Sequence, residues 1–312
     1  MVEIFLKTLP FFLLIGIGYA AAASRFFSES AAAALTRFVF YFALSAMLFR
    51  FSANLSFAEV FDARFMGVYL AATGAVYMVY VALALWRRLP VGEAAVEAQC
   101  AVIGNIGFLG IPMLALLMGD AAVGYIMMML AVDLFVFGSL IVILITGSKE
   151  RLSPRIVRTV ALGLVSNPML AAIFLGFSTS ALAVPIPVPI NEFLALLGNA
   201  ATPGALFAIG ASLASKSAER LSTAVWLSFG KLILHPAAIA LAALAIWPLE
   251  PYAAAVMIAS AALPTAGNIY MLAAHYGVAP QRVSATILVS TVFSIVTVSL
   301  VLAWLAERTA FQ

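Results

Sequence analysis

Gly104-Asn105-Ile106-Gly107-Phe108-Leu109-Gly110-Ile111-Pro112 interrupts one apolar run, and Ala262-Leu263-Pro264-Thr265-Ala266-Gly267-Asn268-Ile269-Tyr270 interrupts another. Each interruption sits near the middle of a run of about 20 residues or more, the length that crosses hydrocarbon. Proline removes an amide N–H and clashes with the carbonyl four residues back. Glycine lets the chain unwind and lets other backbone come close. Unwound backbone at membrane depth is tolerated only where it faces protein or a watery cavity. A single Gly/Pro break is ordinary in a membrane helix, and asparagines there can tie helices together. Two breaks in corresponding segments of two halves point to a transporter binding site.

The surrounding composition names the solvent. Of 312 residues 65% are hydrophobic and 9% charged, against about 45–50% and about 25% in soluble domains. A globule of this size cannot hide that much apolar surface from water, so the surplus faces lipid. A soluble enzyme, a disordered chain and a nucleic-acid binder are excluded. The basic pI reflects only 16 Lys+Arg against 13 Asp+Glu. The single cysteine, Cys100, rules out an intrachain disulfide framework and a multi-cysteine metal cluster. No phosphate-binding loop, zinc spacing or dinucleotide fingerprint occurs, so no cofactor, metal site or catalytic residue is expected.

Ten apolar runs can be read, over 4–23, 31–51, 65–86, 94–117, 123–146, 158–178, 191–214, 222–246, 252–276 and 282–306. Their length predicts helices rather than barrel strands of about 10 residues. The fold class expected is an all-α polytopic membrane protein of ten transmembrane helices. The small-residue end of the first run, Ala21-Ala22-Ala23-Ser24, could mimic a signal-peptide cleavage site. The run is long, starts at Glu3 and lacks a basic leader, so it is read as a span.

Basic residues divide the connections into two sets. One holds Arg25, Arg87, Arg88, Lys149, Arg151, Arg155, Arg158, Lys216, Arg220 and Arg282; the other holds Arg50, Arg64 and Arg308. The richer set is expected in the cytoplasm, which places both termini outside. The basic connection around 147–158 is read as a topology signal.

A shift of 158 residues brings the two halves into register without gaps over several helices. Pro10 falls on Pro168, Ile15 on Ile173, Gly18 on Gly176, Phe49 on Phe207, Gly119 on Gly277 and Phe135 on Phe293. Five helices per copy is an odd number, so the second copy must be inverted in the membrane. The expected organisation is a first repeat over 1–146, a cytoplasmic linker over 147–157 and an inverted second repeat over 158–312. The broken fourth and ninth helices would cross near the midplane. Their half-helix N-termini offer N–H groups and a positive dipole end to an anion. Asn105 and Asn268 add uncharged amides, and Thr265 adds a hydroxyl.

Charged residues inside the apolar runs are few. Asp133 lies near the middle of the fifth, where a carboxylate costs about 2.5–3.5 kcal/mol. Lys231 lies in the eighth, about 13 Å deep at about 1.5 Å per residue. An Asp133–Lys231 ion pair is one expectation; a proton-coupling carboxylate at Asp133 is the other. His235, one turn past Lys231, is read as a packing residue and His275 as interfacial. Lys7 and Arg37 lie near run ends and can snorkel to headgroups. Glu97 and Gln99 flank the start of the fourth run and could line a cavity. Cys100 beside them is read as a small packed residue.

Gly104–Pro112 resembles the helix-4 signature of the auxin efflux carrier family, and Ala262–Asn268 is similar to its helix-9 signature. Supporting stretches are Phe38–Leu44, Asn167-Pro168, Ala200–Gly210 with Pro203, and Lys231–Pro236. The resemblance covers the whole chain. It implies a crossover of broken helices 4 and 9, with Asn105 and Asn268 contacting a carboxylate. Gly104, Thr265 and Gly267 fall beside them at the binding site. Pro112 and Pro264, with Gly107 and Gly110, would form the crossover itself. It also implies a scaffold of helices 1, 2, 6 and 7, able to form a homodimer, and a moving part of helices 3–5 and 8–10. Family members carry organic anions; plant members export auxin, and bacterial ones are linked to malonate or malate. The chain looks like a bacterial member, resident in the inner (plasma) membrane. It departs from the family at Ser45, where a proline is common. It also lacks the long cytoplasmic loop of the plant members, so their phosphorylation control does not carry over.

The leading expectation is a secondary or facilitated carrier of a small mono- or dicarboxylate, working by elevator-type alternating access. Its partners would be the lipid bilayer and the organic anion. The alternative is a symporter or antiporter of another small solute coupled to H⁺ or Na⁺. A sodium site at the break would need several carboxylates, and Asp133 has few companions. An intramembrane enzyme would need a paired acid and base or a metal at one depth, and only Asp133, His235 and Lys231 are available.

Overall fold

The computed structural model describes residues 2–54, 62–148, 158, 162, 166–214 and 221–308. Among them the secondary structure is helical throughout, apart from one isolated two-residue bridge. Lys149, Arg151, Arg155, Lys216 and Arg220 of the basic set lie outside the described residues, as does most of the expected 147–157 linker.

Twelve helices account for the described chain apart from the isolated residues 158 and 162. They are α1 (Val2–Ala23), α2 (Glu29–Asn54), α3 (Ala63–Trp86), α4 (Val91–Val102), α5 (Ile106–Met118) and α6 (Ala121–Gly147). The second half has α7 (Pro168–Ala181), α8 (Val188–Ala214), α9 (Leu221–Ile246), α10 (Pro251–Ala261), α11 (Asn268–Tyr276) and α12 (Pro280–Ala306). Six of these, α2, α3, α6, α8, α9 and α12, are long and apolar enough to cross a membrane. Leu9–Ala23, Ile106–Met118, Pro168–Ala181 and Pro251–Ala261 are shorter apolar helices. The fourth apolar run is thus divided between α4 and α5, and the ninth between α10 and α11.

Polar side chains start several of the helices. Ser28, Asp62, Asn167 and Glu250 accept from the first free N–H groups of α2, α3, α7 and α10. Such caps satisfy donors that the helix itself leaves open. Gly277 closes α11 in the left-handed region, at φ 65°.

Packing divides by partner. α1 lies along the second half of α8, and α7 lies along α2. Separately, α3 packs on α4 and α9, α4 on α6, and α9 on α12 and α10. In lipid no hydrophobic force joins helices, so close backbone approach through small residues does the work. A Cβ at Gly18 would fall 2.1 Å from the Phe207 carbonyl oxygen, and one at Gly176 would fall 2.6 Å from the Phe49 carbonyl oxygen. Any side chain at either position would force these helices apart. Large apolar residues such as Phe174, Leu196 and Leu116 point outward, 71–77% exposed, as a lipid-facing surface requires.

Single π turns interrupt the long helices at Val39–Ala43, Asp133–Phe137, Gly230–Leu234 and Ala242–Ile246, and another opens α5 at Ile106–Gly110. Each inserts one residue's worth of register and turns the following side chains to a new direction. The first lies just before Ser45, whose Oγ donates to the Phe40 carbonyl at 3.1 Å. α2 therefore changes register without the proline common in the resembling family.

Candidate functional site

The break in the fourth run is short. α4 ends at Val102, Ile103 is extended (ψ 115°), and Asn105 precedes the first turn of α5. The break in the ninth run has a proline at its centre. α10 ends at Ala261, and Pro264 cannot donate a backbone hydrogen bond and disfavours helix at Leu263. The two breaks solve each other's hydrogen-bond problem. Asn105 N–H donates to the Pro264 carbonyl at 2.8 Å, and Ala266 N–H donates to the Ile103 carbonyl at 3.1 Å. Gly104 and Thr265 face each other as an antiparallel bridge between them.

The predicted site residues take different places around this bridge. Thr265 is buried, and its hydroxyl donates to the Cys100 carbonyl at 2.9 Å, while its N–H donates to Ser290 Oγ at 3.1 Å. It braces the end of α4 rather than presenting a free hydroxyl. Asn105 is 7% exposed, and its side-chain amide has no hydrogen-bond partner among the described residues. Asn268 opens α11; its Oδ1 is buried and also without a partner. Gly267 beside it is exposed, and a Cβ there would meet nothing within 4 Å. Open space therefore adjoins Asn268, whose amide oxygen has no partner among the described residues.

Gly107 and Gly110 are packing positions. A Cβ would come 2.9 Å from Met169 Cε at the first and 2.6 Å from Leu263 Cδ1 at the second. The contact between Gly110 and Leu263 holds the two broken runs together beyond the bridge. Pro112 lies inside α5 and not at the break. The π turn before it carries the chain helically past the missing N–H, since Ile111 N–H reaches back to the Ile106 carbonyl.

Among the described residues no ion pair within 4 Å joins Asp133 to Lys231. The ion pairs among the described residues are Arg87–Glu97, Arg282–Glu93 and Arg282–Glu97. Each intramembrane charge has found other partners. Asp133 Oδ1 accepts from the Tyr69 hydroxyl at 2.7 Å, and its Oδ2 is buried with no partner. Lys231 Nζ donates to the Ala261 carbonyl and lies 3.2 Å from His235 Nδ1. With Lys231 protonated, Nδ1 is the acceptor and the ring proton sits on Nε2. Nε2 then donates to Thr73 Oγ1 at 3.0 Å. His235 thus does more than pack. Tyr69 and Thr73 stand one turn apart on α3, and the whole group is buried. Both charged residues sit in π turns, of α6 and of α9.

A second polar cluster joins α3, α4 and α12. Glu97, 1% exposed, accepts from Arg87 Nη1 at 2.8 Å and from Arg282 Nη1 at 2.7 Å; Arg282 Nη2 reaches Glu93 at 3.1 Å. Arg282 is therefore a buried partner, not a charge left in water at a helix end, and Glu97 is neutralised rather than lining a cavity. Gln99 Oε1 is buried without a partner.

Sequence reasoning missed the hydroxyl face of α3. Tyr69, Thr73, Tyr77 and Tyr80 recur at helical spacing in an otherwise apolar run, which was the available signal. Tyr77 and Tyr80 donate to the Ala95 and Trp226 carbonyls at 3.4 and 3.2 Å.

An apolar helical bundle whose two broken helices satisfy each other's backbone, with an unsatisfied amide at the junction, is built as a membrane transporter. The sequence matches the family described as membrane transport protein over residues 3–302, and the chain belongs to this family, the auxin efflux carriers. It is a transporter and not an enzyme. A Rhizobium meliloti (strain 1021) protein named "Putative malonate transporter" is 30% identical over 305 residues, covering 96% of this chain and 95% of that one. An Escherichia coli (strain K12) protein named "Uncharacterized transporter YfdV" is 27% identical over 305 residues, with 94% of each chain covered.

Proposed function

We propose that the chain carries a small organic acid anion, a mono- or dicarboxylate of the malonate type, across a bacterial inner membrane. The observation that carries the proposal is the pair of helix starts at the junction, α5 and α11, which begin inside the bundle at Asn105 and at Gly267-Asn268, with open space at Gly267. No side chain caps α5 or α11. A helix that starts at the membrane surface can leave its first N–H groups to water; one that starts inside needs a ligand or a watery cavity. Two such starts, with amide N–H groups added, suit a carboxylate. The name of the Rhizobium relative agrees with this substrate class.

The proposed frame is ten spans in two inverted five-helix repeats, with the two breaks as the crossover. A swapped pair of contacts supports it. Gly18 packs on Phe207, and Gly176 packs on Phe49; the 158-residue shift turns each contact into the other. Spans 1, 2, 6 and 7 would form the scaffold and the rest the moving elevator, in keeping with the division of the packing. Both termini would lie outside. Arg87 and Arg282 meet at one end of the bundle through Glu97, while Arg64 Nη2 donates to the Pro248 carbonyl and Arg308 also lies beside Pro248 at a surface hollow. That separation follows the two basic sets.

A second reading, proton-coupled symport or antiport, is favoured by Asp133, whose Oδ2 is buried and unpartnered at a π turn. Such an oxygen is a place to take up and release a proton.

A thermal-shift screen of mono- and dicarboxylates tests the substrate class, because a ligand that binds the native state raises apparent stability by mass action. Malonate-sized dicarboxylates should shift the wild type and fail to shift Asn268→Ala. A screen in which only uncharged or cationic solutes act would overturn the proposal.

A further inference from the structure

The geometry points to Lys231 as a built-in cation: its ammonium fills, at the junction of the broken helices, the place where a transporter would otherwise bind a coupling sodium ion. The inference deepens the proposed function and rests on the junction being the substrate site.

The argument begins at the end of α10. The last carbonyls of a helix have no intrahelical partner and form the negative end of its dipole. Where a helix ends inside a membrane, such carbonyls and the unwound backbone after them are the groups that coordinate Na⁺ in transporters. Here the Ala261 carbonyl, the last of α10, accepts from Lys231 Nζ. Lys231 is completely buried and reaches this carbonyl from α9. On its other side stands His235 Nδ1, a neutral lone pair held in place by Thr73. A carbonyl oxygen and a neutral nitrogen around one positive charge make a cation site in which the cation is covalently attached.

The facing break is shaped around the same ammonium. A Cβ on Gly104 would lie 3.3 Å from both Cε and Nζ of Lys231, and 3.4 Å from the Ser260 carbonyl. Glycine at this position leaves room for the charge directly beside Asn105. No described carboxylate lies within 4 Å of the ammonium, and Asp133 accepts from Tyr69 instead. The direct contacts of the ammonium are therefore the helix end and His235, with room for an anion at the junction. A carboxylate arriving there meets a fixed cation and two half-helix N-termini, and needs no dissolved metal ion to balance it.

Two measurements test the inference. Wild-type uptake of malonate into proteoliposomes should be the same in NaCl and in choline chloride. Lys231→Ala, which empties the space, should lose uptake, and its melting temperature without substrate should rise saturably with NaCl or ethylammonium chloride but not with choline chloride. The wild type should show no such rise. Lys231→Met fills the space without a charge and should fold, lose uptake and ignore every cation. Wild-type uptake that stops without Na⁺ overturns the inference. So does a Lys231→Ala protein that melts alike in all three chlorides, or a Lys231→Met protein that transports normally. The melting measurement uses no substrate, so it stands or falls separately from the assignment of Asn105 and Asn268 to the anion.

Discussion

Asp133 and Glu97 show two ways of keeping a carboxylate inside an apolar bundle. Glu97 is surrounded by two guanidinium groups at 2.7 and 2.8 Å. Replacing Arg282 by methionine leaves that charge with a single, half-exposed partner, and breaking a buried pair from one side costs about 3–5 kcal/mol. The expected outcome is a large drop in melting temperature, partly recovered by adding Glu97→Gln. Asp133 depends instead on one hydroxyl. Tyr69→Phe removes the one hydrogen bond that its side chain has among the described residues, a loss of about 1.5–3 kcal/mol for a charged acceptor. A double-mutant cycle of Tyr69→Phe with Asp133→Asn should show strong coupling between the two sites. Additive effects would show that the 2.7 Å contact carries little energy. Asp133→Asn also separates the two roles: retained uptake with a lost pH dependence marks a coupling group, and loss of folding marks a structural one. Which residues are charged inside the membrane was legible from position alone. Which partners they choose was not, because the π turns at Asp133 and Gly230 redirect side chains in a way that no spacing rule anticipates.

At the level of elements, the breaks were readable because glycine, proline and asparagine disturb a run of otherwise uniform chemistry. The bridge between Gly104 and Thr265 was not, since it depends on two segments far apart in sequence satisfying each other's backbone. For the same reason Pro112 looked like a breaker, although α5 passes through it once Ile106–Gly110 adopts a π turn. Glycines can be ranked by the same logic. Gly18→Val and Gly176→Val should each abolish a stable fold, because their Cβ atoms would sit 2.1 and 2.6 Å from a carbonyl oxygen of the neighbouring helix. Gly267→Ala should fold normally, with nothing within 4 Å of the added methyl group, and should weaken substrate binding by crowding the open space. Size-exclusion profiles and melting curves of the three variants check both statements. Equal stability of all three would remove glycine packing as the reason that α1 meets α8 and α7 meets α2.

For the whole molecule, composition alone identified the solvent, and the basic residues proposed which end faces the cytoplasm. A membrane-impermeant maleimide checks that orientation on a Cys100→Ala background. Glu307→Cys should be labelled from outside intact cells, and Ser24→Cys only after the membrane is opened; the reverse pattern would invert the topology. The substrate itself was never legible, because amides and helix ends accept many carboxylates. The most direct test of the central claim is radiolabelled malonate uptake into proteoliposomes by the wild type, Asn105→Ala and Asn268→Ala, each with its melting temperature recorded. Uptake by the wild type and its loss in both variants at unchanged stability is the predicted result. Full uptake by either well-folded variant would contradict the placing of the anion at the junction of the broken helices.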